Sequence, residues 1–288
     1  MRGSAAAAYF LHKFFMLLRY DLNGKSYSVM HVVAIYGLKE DKESRAGILA
    51  RSLGVTELEA LSRLRAPGSG PVIVRIFADR DPAGRLAGQL ESGGFHTVVL
   101  GSAEIEAEAG RLMARRFALD AQQLQVGSTD GGKFAVACRD IEVILRGTGI
   151  TTRTETETTK KRSLSLGMAV LTGGLIMTKT TKTVREITTG EREGFLAVYA
   201  GDGSIFDFRE NLVSFESLGP QMKQSRSENF SYLAAELRRR CPGAAYDERL
   251  LSRAGQAALL GPTLSPEKHI DVATALLAKV LRGRPGRH

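Results

Sequence analysis

At 288 residues the chain exceeds what one small core organises, and a length of roughly 100 to 200 residues per domain gives about two domains. A composition of 43% hydrophobic and 25% charged residues excludes a wholly disordered chain. The net charge of +9 favours an anionic partner: nucleic acid, acidic lipid or an acidic protein face.

Residues 1–29 are set apart from the fold. Ala5 to Leu18 is apolar, but His12 and Lys13 interrupt it, no small-residue cleavage site follows, and it is too short to span a bilayer. The segment reads either as an N-terminal extension or as an upstream start, with Met30 as the true one.

From Met30 onward the pattern is strand, helix, helix, strand, helix, strand. His31 to Gly37 is β-rich, and Glu43 to Leu53 sets Ala46, Ile48, Leu49 and Leu53 on a helical stripe that Gly54 stops. Thr56 and Glu59 have capping-box spacing, predicting a second helix to about Leu64. A turn at Pro67–Gly70 leads to a strand over Pro71–Ala78. Asp81 with Pro82 is expected to start a third helix, which presents Leu86, Ala87 and Leu90 and ends at Gly93-Gly94. The strand His96–Leu100 should close a right-handed parallel crossover.

The run from Leu53 through Glu59-Ala60, Phe77 and Asp81 to Gly93-Gly94 and Leu100 resembles the C-terminal domain of the bacterial ribosomal stalk protein, a fold shared with the Clp-protease adaptor. In that family a glycine precedes a helix carrying a Glu-Ala pair, and a later helix ends in a glycine turn feeding the last strand. Gly54, Glu59-Ala60 and Gly93-Gly94 stand in those places. The resemblance implies a protein-binding domain over about residues 30–101. The family's lysine-rich helical surface is replaced by Arg85 and Glu91, so binding to translation factors does not carry over.

Beyond residue 102 a short alanine- and glutamate-rich helix is expected, then a strand over Phe117–Val126. Gly127 to Lys133 has the glycine spacing of a phosphate-binding loop, but Phe134 stands where a serine or threonine is needed and a strand, Phe134–Leu145, follows. Asp130-Gly131-Gly132 is therefore read as a hairpin turn. Thr151 to Thr159 reads as a polar strand or extended loop, leading into Lys160, Lys161 and Arg162.

Next comes an apolar run carrying Leu164, Leu166, Met168, Val170, Leu171, Leu175, Ile176 and Met177, bounded downstream by Lys179, Lys182 and Arg185. Two readings stand: an interfacial membrane segment whose six cations contact anionic headgroups, or core with Gly173-Gly174 as its turn. Phe195–Tyr199 and Ser204–Phe208 form a hairpin. Ser227 is expected to cap a helix burying Phe230, Leu233, Ala234 and Leu237 and ending at Arg238-Arg239-Arg240, whose cations suit a helix C-terminus or contact an anion. Residues 117–241 loosely resemble a pleckstrin-homology-like domain, with no basic lipid-binding signature in the first hairpin. Helices over Asp247–Leu260 and Pro266–Arg282 follow, the second packing Ile270, Ala273, Leu276, Leu277 and Leu281, before an unpacked basic tail.

No nucleophile sits beside a base, and the five histidines show no metal-ligand spacing. The cysteines, Cys138 and Cys241, are expected as free thiols of a reducing cytoplasm. No catalytic, cofactor or metal residue is predicted, no cofactor is expected, and no nucleic-acid module is visible. The fold class is α+β: a small N-terminal α/β sandwich over 30–101, a β-rich antiparallel domain over 102–241, and a helical pair with a basic tail over 242–288. The expected function is that of a cytoplasmic, non-enzymatic protein-binding or regulatory adaptor with an unidentified protein partner. The alternatives are a peripheral protein binding acidic lipid, or an enzyme whose dispersed site gathers such residues as Asp79, Asp81, Asp140 and Asp207.

Overall fold

A computed structural model describes residues 30–38, 42–65, 70–164 and 178–283, without the side chains of 106, 108, 109 and 151–189. Residues 1–29, most of the turn expected at 67–70, the apolar residues 165–177 and the tail 284–288 lie outside it.

The first strand, β1 (His31–Tyr36), is buried along Val32, Val33, Ala34 and Ile35. Strands that alternate apolar and polar residues cover one face; an unbroken apolar run covers two. Helices α1 (Lys42–Leu53) and α2 (Glu57–Leu64) follow, the second started by the expected capping box. Glu59 N donates to Thr56 Oγ1 at 3.2 Å, and Thr56 N donates to Glu59 Oε2 at 2.9 Å.

Then come β2 (Val72–Phe77), α3 (Arg80–Ser92) and β3 (His96–Gly101). The strand order is β2-β1-β3, with β1 antiparallel to both neighbours. The crossover from β2 to β3 is thus parallel, as expected, but it steps over β1. Helix α3 begins two residues before the expected point: Asp79, extended and making no side-chain cap bond, is the N-cap, and Asp81 and Pro82 fall in the first turn. A proline costs nothing there because those amides have no intrahelical acceptor.

Helix α4 (Ser102–Ala109) leads to a seven-stranded sheet. Its members are β4 (Leu112–Leu119), β5 (Gln123–Ser128), β6 (Lys133–Ala137), β7 (Ile141–Leu164), β8 (Thr178–Ala200), β9 (Ile205–Arg209) and β10 (Ala245–Leu250), in the order β10-β7-β8-β9-β4-β5-β6. The single strand expected over 117–126 is two. Asp120 Oδ1 accepts from Gln122 N and Gln123 N, both at 2.8 Å, and so folds a turn without glycine or proline. The strand expected over 134–145 is broken by a 3-10 turn, Cys138–Asp140. The glycine-rich segment is the β5–β6 hairpin turn, with Gly131 at φ +92°.

The sheet is mainly antiparallel, but β10 runs parallel to β7 and β4 parallel to β9. Strand β10 replaces the first part of the helix expected over 247–260. What remains is α6 (Arg253–Leu260), capped by Ser252, whose Oγ accepts from Gly255 N at 3.0 Å. Before it, α5 (Arg226–Arg240) starts at Ser225, not Ser227, because only Ser225 stands three residues from Glu228 and closes a capping box. The last helix, α7 (Pro266–Arg282), matches expectation, with Ser265 as N-cap.

Three apolar clusters hold these elements. One lies between α1–α3 and the β1 face bearing Val33 and Ile35. A second joins the opposite β1 face, Val32 and Ala34, to Val143, Leu145, Phe195, Leu250 and the α7 residues Val272 to Leu281. Residues Val272 to Ala278 are buried without a break, as a helix covered on all sides must be; α7 contacts both β3 and β10. The third packs the other sheet face, Leu196, Val198, Phe206 and Phe208, against α5. Lys279 Nζ donates to Val99 O at 2.8 Å, and Arg282 Nε donates to Glu142 Oε2 at 2.6 Å, so the last turn of α7 is also tied to both sheets. Gly261 ends α6 at φ +67°, where a Cβ would stand 2.7 Å from Ile73 O. Residues 30–149 and 194–283 belong to one compact unit, and the packing runs across the junction at 101–102; residues 150–193 form a second unit.

Candidate functional site

The two basic clusters expected to meet an anion lie on neighbouring strands. Lys160, Lys161 and Arg162 belong to the final residues of β7, with Leu164 its last; Lys179, Lys182 and Arg185 belong to the first residues of β8. All fall in the 150–193 unit, and their side chains lie outside the described residues, as do Leu166, Met168, Val170, Leu171, Leu175, Ile176 and Met177 entirely. The topology thus brings the two flanks onto adjacent strands, both opening onto the same apolar stretch.

The carboxylates considered for a dispersed site do not converge. Asp79 stands at the N-cap position of α3, Asp81 lies in its first turn, and Asp140 pairs with its neighbour Arg139 at 3.7 Å. Asp207 alone is deeply buried, at 2% exposure. Its Oδ2 accepts from Arg209 Nε at 3.0 Å and Nη2 at 2.7 Å, with Arg111 Nη1 at 3.8 Å. Its Oδ1 is buried and accepts no hydrogen bond among the described residues, and the Arg209 guanidinium lies 5.2 Å over the Phe195 ring. Two cations on one oxygen make this an internal ion pair. The i,i+2 spacing of Asp207 and Arg209 is visible in the strand, whereas Arg111 arrives from another element. His31 and His96 sit at opposite ends of the β1–β3 ladder, opposite Gly101 and Tyr36. Among the described residues no group of three or more His, Cys, Asp or Glu is placed to hold a metal ion.

One open cleft of about 510 Å³ went unread in the sequence. Leu212 and Met222 line it while 40% and 54% exposed, beside Arg115 and Lys223. Its walls are fastened from the first turn of α5. Arg226 donates to Glu210 O at 2.6 Å and Val213 O at 2.8 Å and stacks 5.4 Å over Phe215, and buried Asn229 accepts from Lys223 N at 2.7 Å. Such a cleft presents apolar surface beside cations and one carboxylate, Glu216. At the far end of α5, Arg239 and Arg240 are occupied by Glu236, at 2.8 and 2.9 Å, which holds the Glu236 carboxyl down at about 2, and Arg238 lies 4.8 Å over Tyr246. The arginine triplet is spent within the fold.

No protein-family model, curated protein or solved structure matches this chain. Among the described residues no helix is long and apolar enough to cross a membrane.

Proposed function

We propose that the chain is a non-enzymatic regulatory adaptor of the cytoplasm that attaches to acidic lipid surfaces through residues 160–185. The observation that carries this reading is the placement of the two basic flanks: three cations late in β7 and three early in the adjacent β8, on either side in sequence of the apolar run 164–177. The need for core elsewhere is the argument for burying that run, and it weakens when the sheet packs its own faces against α5 and α7. A cation close to an anionic membrane surface gains about 1 kcal/mol, and the run adds apolar contact with the headgroup boundary without spanning it.

Vesicle flotation tests the proposal. The full chain should float with phosphatidylcholine–phosphatidylserine vesicles at low salt, less so as salt rises, and not with phosphatidylcholine alone. Deleting 165–177, or replacing Lys160, Lys161 and Arg162 by glutamine, should abolish or weaken flotation. A full chain that stays with the unbound fraction on acidic vesicles at low salt overturns the reading.

Protein contact through residues 30–101 is a second reading, favoured by Leu58, which stands 78% exposed on α2. A photo-crosslinking residue at position 58 should then capture a partner in cells that the same residue at exposed Gln89 does not. Equal capture at both positions removes it.

A further inference from the structure

Two thiols that the proposed function leaves unused meet in the cluster beneath α5. Cys138 opens the 3-10 turn between β6 and β7, and Cys241 is the C-cap of α5. Both are free, both are buried, at 6% and 1% exposure, and both belong to one apolar cluster. Cys138 lines one cavity with Arg240, Pro242 and Gly243, the residues on either side of Cys241, so the two thiols lie side by side in that cluster. The backbone fixes each: Cys138 N donates to Gln122 O at 2.7 Å, and Cys241 N donates to Leu237 O at 2.9 Å. Access differs between them. Cys138 lines an open cavity of about 780 Å³, beside Arg139 and Arg240, whereas Cys241 turns into the core.

We propose that Cys138 and Cys241 form a reversible intramolecular disulfide, with Cys138 the thiol that meets oxidant in the cavity and Cys241 the thiol that resolves it. The oxidant class that fits is a small anionic disulfide such as glutathione disulfide, whose carboxylates suit the exposed Arg139 guanidinium in the cavity lining. The Cys138 thiolate attacks one sulfur of that disulfide; its S–S bond breaks, one small thiolate leaves, and a mixed disulfide forms. Cys241 then gives up its proton and attacks the Cys138 sulfur, which expels the second small thiolate. Two electrons pass from the protein thiols to the small disulfide, and the two protons end on the released thiols. The order of events follows from the environment. Burial first, and the contact with Cys138 second, push the Cys241 thiol up to about 12, against a weak opposing pull from Arg240. Cys241 is therefore the poorer first nucleophile at neutral pH.

The test is a time course of the native full chain in glutathione disulfide, read by intact mass and by peptide mapping. The glutathione adduct should map to Cys138 and give way to a form lighter than the starting protein by about 2 Da, with Cys138 and Cys241 peptides linked. Excess reduced glutathione should restore both thiols. Cys241→Ser should stop at the adduct, and Cys138→Ser should be modified about tenfold more slowly or not at all. Should either variant fail to fold, the wild-type course decides by itself. Two thiols that stay free in the native chain, an adduct on Cys138 that never closes, or a first adduct on Cys241 each overturn the proposal.

Discussion

The two apolar clusters that share β1 are built from different reaches of chain. The one under α1–α3 takes all its buried members from between Val33 and Phe95, so none of its contacts closes a loop of more than about 60 residues. The one on the other face reaches from Val32 to Leu281, and its β1 residues meet a helix that lies near the end of the described chain. Equal burial thus rests on unequal locality. The first cluster is written in helical stripes and caps, and the second in which strand lies beside which, a property no local window contains.

The largest test of that contrast falls on the long-range side. Asp207 stands opposite Ala197 on the face of the second cluster, and Asp207→Ala would leave the half-buried Arg209 guanidinium without its counter-charge. A loss of about 4 kcal/mol in urea-induced unfolding is expected. Next, Leu277→Ala in α7 and Leu49→Ala in α1 remove fully buried side chains from the two clusters and should each cost about 3 kcal/mol. Because β1 is a wall of both, each variant should shift one shared transition. Two separate transitions in either variant would break the idea that the clusters act together.

A smaller effect is expected at Ser252, whose hydroxyl accepts the Gly255 amide at the start of α6: Ser252→Ala should cost about 1 kcal/mol by the same assay. The smallest is a pH effect on α5. Arg239 and Arg240 hold the Glu236 carboxyl below its ordinary 4.5, down to about 2. Depression in the folded state means that the stabilisation is complete above pH 4.5 and is lost as pH falls toward 2. Wild type should therefore melt above Glu236→Gln at neutral pH, and the gap should close across that acid window. A gap unchanged at low pH removes the ion pair as its cause.

The α+β class, the element order of residues 30–101, the α2 capping box, the Asp130–Gly132 turn and the whole of α7 were legible because each rests on spacing within one turn or one hairpin. Three shifts show where local signals give out. Asp79 and Asp81 are equal as caps on paper, and Asp120 makes a turn with none of the usual glycine or proline marks. Residues 245–250 form a strand because β7 offers a parallel edge a hundred residues earlier in the chain, not because their own pattern demands it. Ser225 is the opposite case: its three-residue spacing to Glu228 was in plain view and outranks Ser227. Of the candidate sites, the basic flanks of 164–177 were visible as composition. The Leu212–Met222 cleft and the contact of Cys138 with Cys241 were not, since both depend on where separate elements end in space.

The two-faced burial of β1 also sets a timetable for synthesis. Val33 and Ile35 find their cover once Phe95 has been made, but Val32 and Ala34 wait for Val272 to Leu281. While the residues between Phe95 and Val272 are being made, the nascent chain carries a half-clad strand whose oily side invites chaperones or a neighbouring copy. Shortening the chain before residue 266 would make that transient hazard permanent.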